Sequence, residues 1–229
     1  RRIVSFQHRH LAAILYEVTV LNADAPVIIS SQMVNEDTRE AEKDDPRRPR
    51  GFRDKVLIPQ VHYSEDRRIL LGHRTRSSRM TLACGTDHVI ETDCPFSSRT
   101  HCGRDEGKVV VSIDAKAGVP VRLIKYMTYH TSRSAPPQEL CDRADRTLDR
   151  AVRDGFDSVQ TGQRDYLDDF RERSDVRFEG DVHIQQALRF NLFHIIQAAG
   201  RAEGVGVPAK GLTGQGYEGH YFWDAEIYV

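Results

Sequence analysis

No stretch of this sequence approaches the roughly 18 consecutive apolar residues that a membrane-spanning helix needs, which excludes a helical transmembrane protein. Neither sign of charge is in excess: 33 basic side chains stand against 34 acidic ones, a formal net charge of -1. A nucleic-acid surface usually carries a basic excess, so that class is excluded as well. Cysteine is scarce, and Cys84, Cys94, Cys102 and Cys141 include no C-x-x-C pair of the kind found in zinc or thioredoxin-like sites. So few cysteines in a chain of 229 residues do not make a disulfide scaffold; Cys94 and Cys102 could bridge in principle, but free thiols are expected. The chain has no Asn-x-Ser/Thr acceptor and opens on no signal peptide. H-E-x-x-H, G-x-S-x-G and G-x-x-x-x-G-K are all missing. What remains, 39% hydrophobic and 29% charged residues, is the balance of a soluble globular protein with one large domain or two modest ones. The chain starts at Arg1-Arg2 without a Met and stops at Tyr228-Val229 without a terminating cap, so both ends read as cut.

The first half reads as β-structure. Residues 11 to 21 alternate, with Ile14, Tyr16, Val18 and Val20 on one face and Glu17 and Thr19 on the other. Further short apolar runs lie at 27–34, 68–71, 80–84, 88–91 and 109–113, and Pro120 starts an alternating strand through Val121, Leu123, Met127 and Tyr129. Asn22-Ala23-Asp24, Gly72, Gly85 and Gly103 read as turn punctuation between them. Many short strands with such punctuation predict an antiparallel β-sandwich. Residues 36–54 are densely charged, the mark of a solvated loop. After a Ser/Pro linker at 131–137 the period becomes helical: Leu140, Ala144, Leu148, Ala151 and Val152 form one stripe. Beyond a break at Gly155, Val159, Tyr166, Leu167 and Phe170 form a second. The strongest stripe runs from Ile184 to Ala199, with Phe190 and Phe193 off it, so that helix is apolar on more than one side and should be packed inside a larger helical body. The predicted order is sandwich (1–131), helical linker (132–178) and the start of an all-helical domain (179–229).

His8-Arg9-His10 puts two imidazoles on one side of a predicted strand, but no Cys, Asp or Glu stands at ligand spacing, so no metal site is assigned. Gly214-Gln215-Gly216-Tyr217-Glu218-Gly219 spells G-x-G-x-x-G. It follows a long helix rather than a strand, which is the wrong setting for a dinucleotide fingerprint. The run from Lys210 to Glu226 instead interleaves glycines with aromatics and acids and ends on Trp223-Asp224. An indole can cover the apolar C–H face of a pyranose. An adjacent carboxylate can accept charge-assisted hydrogen bonds from two neighbouring hydroxyls. Asp224 and Glu226 are not read as a catalytic pair, because an i, i+2 spacing aligns two groups only on a strand.

Three segments carry a resemblance. Residues 210–226 (KGLTGQGYEGHYFWDAE) closely resemble the signature of glycoside hydrolase family 65, the maltose, trehalose and kojibiose phosphorylases; residues 185–194 resemble its first barrel helix and 165–176 the connector before it. The resemblance implies a β-sandwich leading through linker helices into an (α/α)6 barrel, of which only the opening is present. It places the pocket for a non-reducing glucose on Trp223 and Asp224, with His220 in the same motif. It also implies inverting phosphorolysis of an α-linked glucosyl disaccharide, with the general acid a Glu expected beyond residue 229 and no catalytic residue assigned within the chain. A trehalase-type hydrolase and a non-catalytic sugar-binding module are the alternatives. No metal or organic cofactor is implied, only inorganic phosphate as co-substrate. The partners implied are the disaccharide and phosphate, neither nucleic acid nor membrane, in a cytoplasmic protein that could be a homodimer. Gln215, Ala225 and Arg171 depart from the family's common Glu, Thr and Trp.

Overall fold

The structure, a computed structural model, describes residues 1–35, 55–199, 207, 217 and 220–224. The charged run at 36–54 and the glycines at 214, 216 and 219 lie outside the described residues. The described chain divides into two compact units, one ending at Gln163 and one starting at Arg164.

Nine antiparallel strands build the first unit: β1 (Arg2–Val4), β2 (Leu11–Thr19), β3 (Ala25–Val34), β4 (Leu57–Glu65), β5 (Arg68–Thr75), β6 (Thr81–Glu91), β7 (Phe96–Cys102), β8 (Glu106–Ala115) and β9 (Pro120–Ser132). Six form a sheet in the order β1-β2-β9-β6-β5-β4, and three a second sheet, β3-β8-β7. A kinked helix, α1 (Pro137–Ser174), follows, then α2 (Val182–Ala199).

The six-stranded sheet is buried on both faces, and the side-chain period of two decides which residue goes where. On one face Ile69 and Leu71 of β5 and Val121 and Leu123 of β9 meet Val109, Val111 and Ile113 of β8, the sandwich core. On the other, Leu11, Ala13 and Leu15 of β2 and Ile124 and Tyr126 of β9 receive Leu148, Ala151, Phe156 and Val159 of α1. Leu70 and Ala83 meet Leu140, Cys141 and Ala144 of the same helix. This corrects the reading of β2. The even residues Val18 and Val20 do pack into the sandwich, but the odd ones near its start are the buried set, facing the helix.

Two of the glycines read as turns are strand residues instead. Gly85 lies inside β6, which joins the runs 80–84 and 88–91 into one strand. Gly72 lies inside β5. A Cβ on Gly72 would stand 3.0 Å from Cys141 Sγ and 3.2 Å from Val61 Cβ, so its missing side chain lets α1 approach the sheet. Gly155 is the break that the sequence indicated: its φ of 79° is left-handed, and α1 kinks there. All four cysteines are free, and burial pushes the Cys84 and Cys141 thiols up to about 12 and about 11.

Arg68 ties helix to sheet. Its Nε donates to Asp87 on β6 at 2.9 Å, and its Nη1 to Asp145 and Asp149 on α1, both at 2.7 Å. Burial opposes the charge, but three carboxylates outweigh it and hold the guanidinium protonated more firmly than in free arginine. Removing one member of such a partly buried network strands the others. Arg68→Met is therefore expected to cost about 2–3 kcal/mol in urea unfolding. Asp149→Asn, at the exposed rim, should cost under about 1 kcal/mol.

His88 spans the sandwich: from β6 its Nε2 lies 2.7 Å from Ser31 Oγ on β3, and its Nδ1 3.0 Å from the Arg67 carbonyl. Burial is the main force that pushes this imidazole down from 6.5 to about 4. Between those values the unfolded chain binds the proton that the folded chain refuses, so stability falls as pH falls from 6.5 toward 4. The loss attached to His88 is on the order of 2–3 kcal/mol. Urea midpoints measured across that window should fall less steeply in His88→Gln than in the wild type; equal slopes would contradict the assignment.

Among the described residues no helix is long and apolar enough to cross a membrane.

Candidate functional site

His220, Trp223 and Asp224 lie close together in the chain of the second unit, with Trp223 and Asp224 in a turn. Tyr217, just before it, holds a left-handed φ of 55°. A bulky residue rarely adopts that conformation, which costs on the order of 1 kcal/mol and collects at functional sites. The Tyr217 carbonyl accepts from the His220 amide at 3.0 Å and lies 2.8 Å from His220 Nδ1. A carbonyl can only accept, so Nδ1 carries the proton, and a neutral His220 presents its Nε2 lone pair elsewhere. The Tyr217 and Phe222 rings meet edge to face, centroids 5.3 Å apart. These contacts fix the chain where it turns through Trp223 and Asp224.

The indole is 78% exposed, and Asp224 beside it is exposed too. Asp224 makes no hydrogen bond or ion pair among the described residues. The indole is not sealed in a core, and among the described residues no cation neutralises the carboxylate. Glu226 lies outside the described residues.

Upstream in the same unit, the connector is clasped to α2. Asp181 caps the helix, accepting from the His183 amide at 2.8 Å. Gln185 reaches back from the first turn, accepting from the Phe178 amide at 2.7 Å and donating to the Val176 carbonyl at 2.9 Å. Arg189 grips Asp175 with two hydrogen bonds of 3.0 and 2.7 Å, which lower the Asp175 carboxyl below its ordinary range. Leu167 and Phe170 from the end of α1 and Leu192 and Phe193 from α2 enclose a small apolar cavity of about 130 Å³ under this ion pair. Arg171 lines it as well. Phe190, off the main stripe of α2, is 60% exposed.

The first unit holds a polar cleft that sequence reasoning missed. His8, Arg9 and His10 lie not on a strand but in the connection between β1 and β2. There the His10 ring stacks on His130 of β9 at a centroid distance of 4.1 Å. The pairing joins residues 120 positions apart, so no local pattern announces it. Among the described residues, no cluster of three or more His, Cys, Asp or Glu is placed to hold a metal ion.

Comparison with known proteins bears on both units. Residues 1–170 match the sequence model described as "Glycosyl hydrolase family 65, N-terminal domain", and residues 189–229 the "Glycosyl hydrolase family 65 central catalytic domain". An uncharacterized glycosyl hydrolase of Mycobacterium tuberculosis is 39% identical over 229 residues, which is 100% of this chain and 29% of that protein. An alpha,alpha-trehalose phosphorylase of Thermoanaerobacter brockii is 33% identical over the same 229 residues, 100% of this chain and 30% of that protein. A kojibiose phosphorylase of Escherichia coli (strain K12) is 26% identical over 237 residues, again with 100% of this chain and 29% of that protein. The chain thus spans less than a third of the length of these relatives. A solved structure from the human microbiome, provisionally named a kojibiose phosphorylase, superposes with a TM-score of 0.78 at 20% identity, covering 98% of this chain and 28% of that one. That likeness is one of fold: the two-sheet sandwich and the helices that follow it.

Proposed function

This chain belongs to glycosyl hydrolase family 65, and on that premise we propose that it is part of an inverting phosphorylase whose glucosyl pocket includes Trp223, Asp224 and His220. The observation that carries the reading is the exposed indole beside an exposed carboxylate that has no partner among the described residues, just after the contact between Tyr217 and His220. The indole would lie against the C–H face of the glucosyl ring, and Asp224 would accept from two of its hydroxyls. His220, with Nε2 as acceptor, could take a third. Residues 179–229 are assigned to the opening of the (α/α)6 barrel, an assignment that α2 and the match at 189–229 support.

In the reaction proposed for the whole protein, a glutamic acid beyond residue 229 protonates the glycosidic oxygen as phosphate attacks the anomeric carbon from the opposite face. The C–O bond to the leaving sugar breaks, the C–O bond to phosphate forms, and β-glucose 1-phosphate and glucose leave. Phosphate is already an anionic nucleophile, so the second carboxylate by which inverting hydrolases activate water is not needed. Trehalose is the first substrate to try, because the relative named for it is 33% identical and the Escherichia coli relative named for kojibiose 26%.

The test is to supply the whole protein with trehalose, kojibiose or maltose, with and without phosphate. Release of glucose 1-phosphate that depends on phosphate is the expected result. Glucose released at the same rate without phosphate would mean hydrolysis and overturn the phosphorolytic reading.

A further inference from the structure

Helix α1 carries two charged stripes on either side of its buried one. Asp142, Asp145 and Asp149 form the acidic stripe, and Arg143, Arg146, Arg150 and Arg153 the basic one, both at helical spacing. The acidic stripe is satisfied inside the fold: Asp145 and Asp149 hold Arg68, and Asp142 accepts from Gln138 at 3.0 Å. The basic stripe is satisfied only in part. Arg143 pairs with Glu139 and Arg153 with Asp154. Arg146 has no ionic partner among the described residues, and Arg150 donates only to the neutral Thr147 hydroxyl, at 3.3 Å.

Arg150 lines the cleft noted above, a space of about 260 Å³ bounded by the β1–β2 connection, β9 and α1. The His10–His130 stack is part of its lining. Thr147 donates its hydroxyl proton to the Arg143 carbonyl at 2.9 Å, so it must accept from His130 Nε2, 3.2 Å away. His10 Nδ1 donates to the Tyr129 carbonyl at 2.8 Å. Both rings are thereby held in fixed orientations. Gln7 and Ser158 add an amide and a hydroxyl to the lining. Asp154, the one carboxylate there, is held by Arg153 at 3.0 Å. Burial first, and then electrostatic repulsion involving His10, Arg143, Arg150 and Arg146, push the His130 imidazole down to about 4. The cleft is positive, polar and rich in donors.

We propose that this cleft binds a phosphate group, free or as the monoester of a small polyol, at a site in the sandwich unit separate from the glucosyl pocket. Guanidinium, amide and hydroxyl donors around a compact space match an oxyanion. The guanidinium charge that, after burial, helps to disfavour protonated His130 is charge that an anionic occupant neutralises. The inference does not depend on the phosphorolytic reading, since it uses only residues of the first unit.

The test is a titration of the full chain, labelled at its histidine ring carbons, with inorganic phosphate against chloride at matched ionic strength. Saturable shifts of the His10 and His130 resonances with phosphate but not chloride are expected. Arg150→Gln should weaken binding about tenfold, as loss of one ionic hydrogen bond does. Ser158→Glu, on the exposed rim where folding is not at risk, should abolish it. Glucose 1-phosphate binding more tightly than phosphate would show that the monoester is the ligand; equal affinities would show that free phosphate suffices. Unmoved resonances at millimolar phosphate, or shifts that persist unchanged in Arg150→Gln and Ser158→Glu, would overturn the proposal. Because the readout is confined to the cleft, a failure here leaves the glucosyl pocket untouched, and a failure there leaves this site untouched.

Discussion

Asp224→Ala is expected to weaken glucosyl binding by the whole protein about a hundredfold. The carboxylate is exposed and without a partner among the described residues, so its removal breaks no contact there. In the proposed pose it takes from the sugar two hydrogen bonds to a carboxylate acceptor, each worth roughly 1.5 kcal/mol or more, about 3 kcal/mol together. At about 1.4 kcal/mol per decade, that is two orders of magnitude. Asp224→Asn keeps one acceptor oxygen and should fall between wild type and alanine. Steady-state kinetics should place the loss in kcat/KM, while thermal unfolding stays within about 0.5 kcal/mol of wild type. An Asp224→Ala protein that turns over normally would show that the sugar lies elsewhere.

Gly85→Val should be the most damaging substitution in the sandwich unit. A Cβ at this position would lie 2.9 Å from Leu70 Cδ2, 3.0 Å from Leu148 Cδ1 and 3.0 Å from Thr128 Cγ2. Those atoms belong to β5, α1 and β9, so the intruding group meets a neighbouring strand on either side and the helix above. Leu70, Thr128 and Leu148 are all fully buried, with no solvent side into which to swing. Overpacking of this kind costs about 1–3 kcal/mol for one methyl and more for a branched side chain. Valine should therefore cost about 3 kcal/mol or more, roughly 6–12 °C in melting temperature for a protein of this size. Gly103→Ala is the control: the nearest atom to its Cβ would be 3.5 Å away, in ordinary contact. Its effect should stay below about 0.5 kcal/mol. Equal melting temperatures for Gly85→Val and wild type would refute the packing of α1 on the sheet.

These two positions show what the sequence could tell and what it could not. The strands rich in Val and Ile were legible because their period of two survives in isolation. Gly85 was misread because a glycine in a turn and a glycine beneath a helix look the same until the helix is in place. β4 and β7 escaped notice for local reasons: Pro59 interrupts the first, which is an edge strand with a register shift at that point, and Ser97, Ser98, Arg99 and Thr100 make the second too polar to read as buried. The helical stripes gave α1, its kink at Gly155 and α2 directly. In the candidate site, Trp223 and Asp224 stood out by adjacency, which a linear sequence preserves. The His10–His130 stack did not, because it depends on a loop folding back against β9.

Trp223 is the single tryptophan of the chain, so its emission reports on the proposed glucosyl pocket without interference from other indoles in these residues. The most direct test of the pocket is to titrate the full chain with glucose and follow that emission, beside a Tyr217→Ala variant in which the turn is released. The account predicts a saturable change in emission as the hexose covers the exposed ring, with weaker affinity in the variant. Glucose bound by calorimetry while the emission stays unchanged would place the sugar away from the indole and contradict the account.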